Sequence, residues 1–165
     1  MGMPMKTLIA AVSVAFALIS PTLLAQASLK IPADKPLASI KFPEGWSASG
    51  EGDMITAGSD EGDALVNVIV TRPDMLGPSN DKAFALLKVK PVFDTYKDTK
   101  STLNGMNVVE VKVDATGSNG KTMKLTLTAL EVTKDKGVMV ILRGDAVEKH
   151  AEEIAGILNS VAPTQ

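Results

Sequence analysis

Residues 104–142 read NGMNVVEVKVDATGSNGKTMKLTLTALEVTKDKGVMVIL, and their alternation decides the fold. Asn104-Gly105 is a dipeptide favoured in two-residue hairpin turns, where both central residues take positive φ. Val109, Val111, Val113 and Ala115 then alternate with Glu110, Lys112 and Asp114, the period of a half-buried strand. Gly117-Ser118-Asn119-Gly120 turns the chain, and Met123, Leu125, Leu127 and Ala129 alternate with Lys124, Thr126 and Thr128. Asp135-Lys136-Gly137 turns it again into Val138 to Leu142. Three strands joined by tight turns predict an antiparallel meander. The alternation slips at Val108/Val109 and at Ala129/Leu130. A one-residue slip swaps faces, so each predicts a bulge or burial on both sides.

Downstream, Asp145 is a plausible helix cap with Glu148 three residues on, as in a capping box. Val147, Ala151, Ile154, Leu158 and Val161 share one helical stripe, opposite Glu148, Lys149, Glu152, Glu153 and Asn159. Upstream, Asn80 or Asp81 caps a helix carrying Phe84, Leu87 and Val89. Pro91 interrupts it, and a second short helical piece is expected from Pro91 to Lys97. Pro73 to Ser79 reads as a loop. Ala64 to Arg72 is almost continuously apolar or β-branched, like a strand covered on both faces. Shorter strands are expected at Ile40 to Phe42, Trp46 to Ser49 and Met54 to Ala57. Residues 28–38, with Pro32 and Pro36, read as an extended N-terminal arm or linker. The order strands, helix, strands, helix predicts an α+β fold: one antiparallel β-sheet packed with helices, an α/β/α sandwich, formed by a single domain over 39–165.

At the N-terminus, Lys6 precedes an apolar run from Leu8 to Ile19, Pro21 breaks it, and Ala25-Gln26-Ala27 supplies small residues at a cleavage site. Those three parts make a secretory signal peptide over 1–27, cleaved after Ala27, and so a periplasmic or secreted protein. The run is too short for a retained anchor, which needs about 20 apolar residues, and no second hydrophobic stretch predicts a membrane span. The leader's 27 of 165 residues leave 138, enough for one domain with a sizeable core. Removing Lys6 leaves 16 basic against 19 acidic residues and shifts the net charge from −2 to −3. Such mild acidity does not attract nucleic acid. With no cysteine, disulfides, thiolate metal sites and a lipoprotein anchor are all excluded.

Ser39-Ile40-Lys41-Phe42-Pro43-Glu44-Gly45-Trp46 resembles the opening strand, proline, glycine and tryptophan of PsbP-like domains. That superfamily takes in the PsbP proteins of photosystem II, a Ran-binding import factor and the bacterial envelope protein DcrB. The helix, the Asn-Gly turn, the meander and a last helix ending in Ile157-Leu158-Asn159-Ser160-Val161 follow in the same order. The resemblance implies an antiparallel sheet between helical layers, used for binding or assembly rather than catalysis. It carries over no functional residue. The single histidine leaves no ligand set for the metal-linked behaviour of some photosynthetic members.

His150, the only histidine, sits at the edge of the last helix's apolar stripe and reads as a packing residue, since no G-x-S-x-G elbow or spaced partner accompanies it. Glu51, Asp53, Asp60, Glu61 and Asp63 form the best ion-binding candidate, but their spacing departs from the calcium-loop pattern, so a solvated loop is the reading preferred. The glycine pairs at 50/52 and 117/120 are turns, because strands rather than helix N-termini follow them. Lysines 82, 88, 90, 97 and 100 are offset by Asp81, Asp94 and Asp98. Of the methionines, Met123 and Met139 read as core filling rather than copper ligands. One Trp and one Tyr are too few aromatics for a sugar-stacking site. Trp46 reads as a core aromatic beside a turn that also offers a ligand anchor. The candidate ligand- or partner-binding positions are therefore Trp46, Glu51, Asp53, Asp60, Glu61 and Asp63, with no catalytic or metal residue and no cofactor. The expectation is a non-enzymatic envelope protein that binds or helps assemble another protein. A small-molecule or calcium-type binding module is the alternative.

Overall fold

The computed structural model describes residues 28–72, 76–144 and 147–165. Ten strands and two helices run in the order β1 Ser28–Ile31, β2 Ala38–Lys41, β3 Ser47–Glu51, β4 Met54–Gly58, β5 Leu65–Thr71, α1 Leu76–Leu87, β6 Val89–Leu103, β7 Met106–Gly117, β8 Thr122–Glu131, β9 Gly137–Arg143, α2 Ala151–Asn159 and β10 Ala162–Pro163. Seven strands form an antiparallel sheet ordered β3-β4-β5-β9-β8-β7-β6, and β1-β2-β10 form a second, three-stranded one. The architecture is α+β, as the alternation predicts, with a small sheet added.

The large sheet is buried on both faces by different elements. Phe42, Ile40 and Ile31 from the small sheet and its exit join Ile154, Ile157 and Val161 from the C-terminal segment over Val66, Val68, Val138, Val140 and Leu142. On the other face, Ala83 and Phe84 of α1 cover Ile69, Val111, Leu125, Leu127, Met139 and Ile141. Strands β5 and β9 feed both cores, which explains their near-continuous hydrophobicity. Each fully buried Val, Leu, Ile or Phe contributes about 1.5–3 kcal/mol.

Both slips in the alternation are two-sided burial. Met106 and Val108 face the α2 side, while Val111, Val113 and Ala115 face α1; Leu130 and its neighbour Ala129 divide in the same way. The β7–β8 register runs unbroken from Val108↔Leu130 to Thr116↔Thr122, with no bulge. The irregularity lies in β6, between Val92 and Lys97. The Asn104-Gly105 turn has φ of 52° and 78°, as a type I′ turn requires.

Three local expectations are corrected. The helical piece at 91–97 is part of β6. A helix of seven residues is marginal, whereas Val92, Phe93, Thr95 and Tyr96 favour a strand. Pro91 is tolerated because β6 is an edge strand. Helix α1 starts at Leu76, so Gly77-Pro78 lie in its first turn, where a missing N–H costs no helical bond. It ends at Leu87, and Val89 already belongs to β6. Residues 28–31, at the start of the expected extended arm or linker, form the edge strand β1. They pair with β2 from Ser28↔Lys41 to Ile31↔Ala38, and Ile31 is buried.

Helix α2 begins at Ala151, later than the stripe implies, with Ile154 and Ile157 buried and Ala151 exposed. The Asp145 cap and the leader over 1–27 fall outside the described residues. No helix among the described residues is long and apolar enough to cross a membrane.

Candidate functional site: an ion-paired cluster around His150

The Pro-Glu-Gly-Trp segment leaves β2 in a turn closed by the Trp46 N–H donating to the Pro43 carbonyl at 3.2 Å. Gly45 has φ +87°, and a Cβ there would lie 2.3 Å from an Asp60 carboxylate oxygen. The positive φ is what calls for glycine here, since the exposed Asp60 side chain could swing away from a Cβ. The turn delivers the Trp46 ring to the core, 8% exposed, with its indole N–H donating to Glu153 of α2.

The loop between β4 and β5 is organised by Ser59. Its N–H donates to the Ala64 carbonyl at 3.0 Å, and its carbonyl accepts the Gly62 N–H at 2.9 Å. Its hydroxyl donates to Asp63 Oδ1 at 2.8 Å and accepts the Ala64 N–H at 3.1 Å. Asp63 is thereby aimed at the residues just before α2. His150 Nε2 lies 2.8 Å from Asp63 Oδ1, and its Nδ1 lies 3.3 Å from Glu153 Oε2. Lys149 pairs with Glu61 and, at 3.4 Å, with Asp63 Oδ2. The imidazole meets Trp46 edge to face, ring centroids 5.9 Å apart at 86°.

The electrostatics follow from these bonds. The Ser59 hydroxyl lowers Asp63 most; burial opposes it, and His150 and Lys149 add to it, leaving the carboxyl at about 2. His150 is raised above its ordinary 6.5, first by its bond to Asp63 and against the cost of burial, with Glu153 adding. Lys149 is raised chiefly by Glu61.

With carboxylates at both ring nitrogens, the protonated His150 ring donates to both, and in that form it has no lone pair to act as a general base. The single Ser59 proton goes to Asp63 rather than to the ring, so serine, histidine and aspartate do not form a nucleophilic relay. The Glu61 and Asp63 carboxylates already face protein cations. Among the described residues, no three His, Cys, Asp or Glu side chains are placed to hold a metal ion.

Of the six candidate positions, Trp46, Glu61 and Asp63 come together here, and Asp60 borders them against Gly45. Glu51 and Asp53 flank Gly52 at the exposed β3–β4 turn and take no part in the cluster's bonds. Ser59, Lys149, His150 and Glu153 were not anticipated as site residues. The only local signal was the i, i+3 spacing of His150 and Glu153.

No protein-family model matches the sequence, and no curated protein matches it significantly. Solved structures do. The chain is similar to a protein from Bacteroides thetaiotaomicron VPI-5482, with a TM-score of 0.54, 9% identity and coverage of 83% of this chain and 47% of that one. It therefore spans about half that protein's length. It is similar to cyanobacterial PsbP (CyanoP) from Synechocystis sp. PCC 6803, at TM-score 0.52 and 11% identity over 88% of this chain and 96% of that one. It is similar to LpqN, involved in cell envelope biogenesis of Mycobacterium tuberculosis, at TM-score 0.53 and 14% identity over 84% and 91%. The fold is PsbP-like.

Proposed function

We propose that this chain is an exported, non-enzymatic envelope protein that binds another protein or assists its assembly, released by cleavage after Ala27. The observation that carries the reading is the His150 cluster, whose ring nitrogens, serine proton and carboxylates are spent on one another. The PsbP-like fold adds support, since LpqN, described as involved in envelope biogenesis, shares it. Cleavage after Ala27 would leave β1 whole, because that strand starts at Ser28. Glu61 and Asp63 are engaged by Lys149 and His150, which weighs against the calcium-type alternative.

Crosslinking in cells producing the full-length chain, followed by mass spectrometry, tests the proposal. The expected result is a mature N-terminus at Ser28 and one recurrent envelope partner. Turnover of a small substrate that is abolished by His150→Gln or Asp63→Asn would overturn it.

A further inference from the structure

We propose that His150 is a pH-sensitive latch: its doubly donating ring ties the start of α2 to the 59–63 loop and to the carboxylate that holds Trp46, and loss of its proton releases that end of the helix. The inference rests on geometry within the fold and is independent of the proposed function.

The ring is 9% exposed and contacts two carboxylates from different parts of the chain, Asp63 in the loop and Glu153 on α2. A neutral imidazole has one N–H and one lone pair. Once deprotonated, it can serve one carboxylate only and turns a lone pair toward the other. Among the described residues, no other cation compensates fully. From the stretch before α2, Lys149 faces Glu61 and Asp63, and neither of its bonds reaches Glu153. From the turn before β3 comes only the uncharged indole N–H of Trp46, already given to Glu153.

Lys149, the Trp46 bond to Glu153 and the packing of Val147 also hold this stretch, but none of them caps the helix. Helix α2 has nine residues, its N-cap is His150 itself with no side-chain cap bond, and its buried residues, Ile154 and Ile157, lie beyond the first turn. Uncapped first-turn N–H groups leave a helix start prone to fraying. The stretch 147–150 before it is a turn, linked by the Ala151 N–H to the Glu148 carbonyl at 3.3 Å.

The direction in pH follows. The folded-state value of His150 lies above 6.5, so the latch's stabilisation is complete below that and disappears as pH rises through the folded value. On the acid side Asp63 stays ionised until about pH 2, so mild acid leaves the Asp63 arm of the latch closed.

Trp46 is the only tryptophan and His150 the only histidine, so both report without labelling. The test takes the protein from pH 5 to 9 and follows the His150 ring by NMR, Trp46 emission, and exchange of the Ile154 amide, which donates to the His150 carbonyl at 2.9 Å. A His150 midpoint above 6.5 is expected, with an emission step at the same pH and a fall of about tenfold in Ile154 protection, corrected for intrinsic exchange. Asp63→Asn should move all three midpoints down, and His150→Gln should abolish the emission step. A midpoint at or below 6.5 in the unaltered protein overturns the latch, even if both variants fail to fold. So does Ile154 protection that stays flat across the titration.

Discussion

The two faces of the large sheet are closed by different means. On one, a single internal helix, α1, lays Ala83 and Phe84 over strand residues, helped by Asn80 donating to the Tyr96 hydroxyl at 3.2 Å and Lys82 to the Val70 carbonyl at 3.3 Å. On the other, the cover is assembled from both ends of the described chain. Strands β1, β2 and β10 with α2 bring in Ile31, Ile40, Phe42, Ile154 and Ile157, and the ion-paired cluster sits at the margin of that cover. A face closed by one helix relies mainly on buried area. A face closed by segments more than 100 residues apart also needs polar bonds that fix where those segments meet.

The largest expected effect compares the two apolar anchors. Phe42 is fully buried and Phe84 is 5% exposed, so each change to Ala should cost about 3–5 kcal/mol in urea unfolding, with Phe42→Ala the costlier. The reverse order would break the contrast, since it would make α1 the more critical cover. A middling effect is expected at the polar margin. Trp46→Phe keeps most of the ring and removes the N–H given to Glu153, so a loss of about 1 kcal/mol is expected from that bond. A loss matching that of Phe42→Ala would mean that packing rather than pairing sets this corner. The smallest effect is expected at the edge. Phe93 on β6 is 70% exposed, and Phe93→Ser should change stability by no more than about 0.5 kcal/mol. A larger loss would place Phe93 under a cover.

How much of this was legible depends on distance along the chain. The meander was readable because strand period, turn dipeptide and register are all local. The facing Val111, Leu127 and Ile141 sit in one row, as their alternation demands. The segment 89–97 was misread because Pro91 suits both a helix start and an edge strand, and only the sheet order decides between them. The cluster was half legible: Trp46 and the acidic loop stood out by composition. Their partners Lys149, His150 and Glu153 lie 86 to 107 positions away, and nothing local marks that pairing. The single histidine looked like packing because a helical wheel shows the helix's own residues and not the carboxylate a loop brings to it.

The smaller sheet ties together segments that lie far apart along the chain. Strand β2 pairs on one side with β1 and on the other with β10, through Ala162↔Ser39 and Pro163↔Ala38. Ser160 Oγ accepts the Lys41 N–H at 2.8 Å across 119 positions, and the Thr164 N–H donates to the Leu37 carbonyl at 3.0 Å. Contacts of such separation form late, because the loop they close must be ordered first. Until residues 160–164 are in place, β2 lacks the neighbour that completes the small sheet. The cover over Phe42 and its neighbours is therefore complete only when residues 37–41 and 160–164 have met.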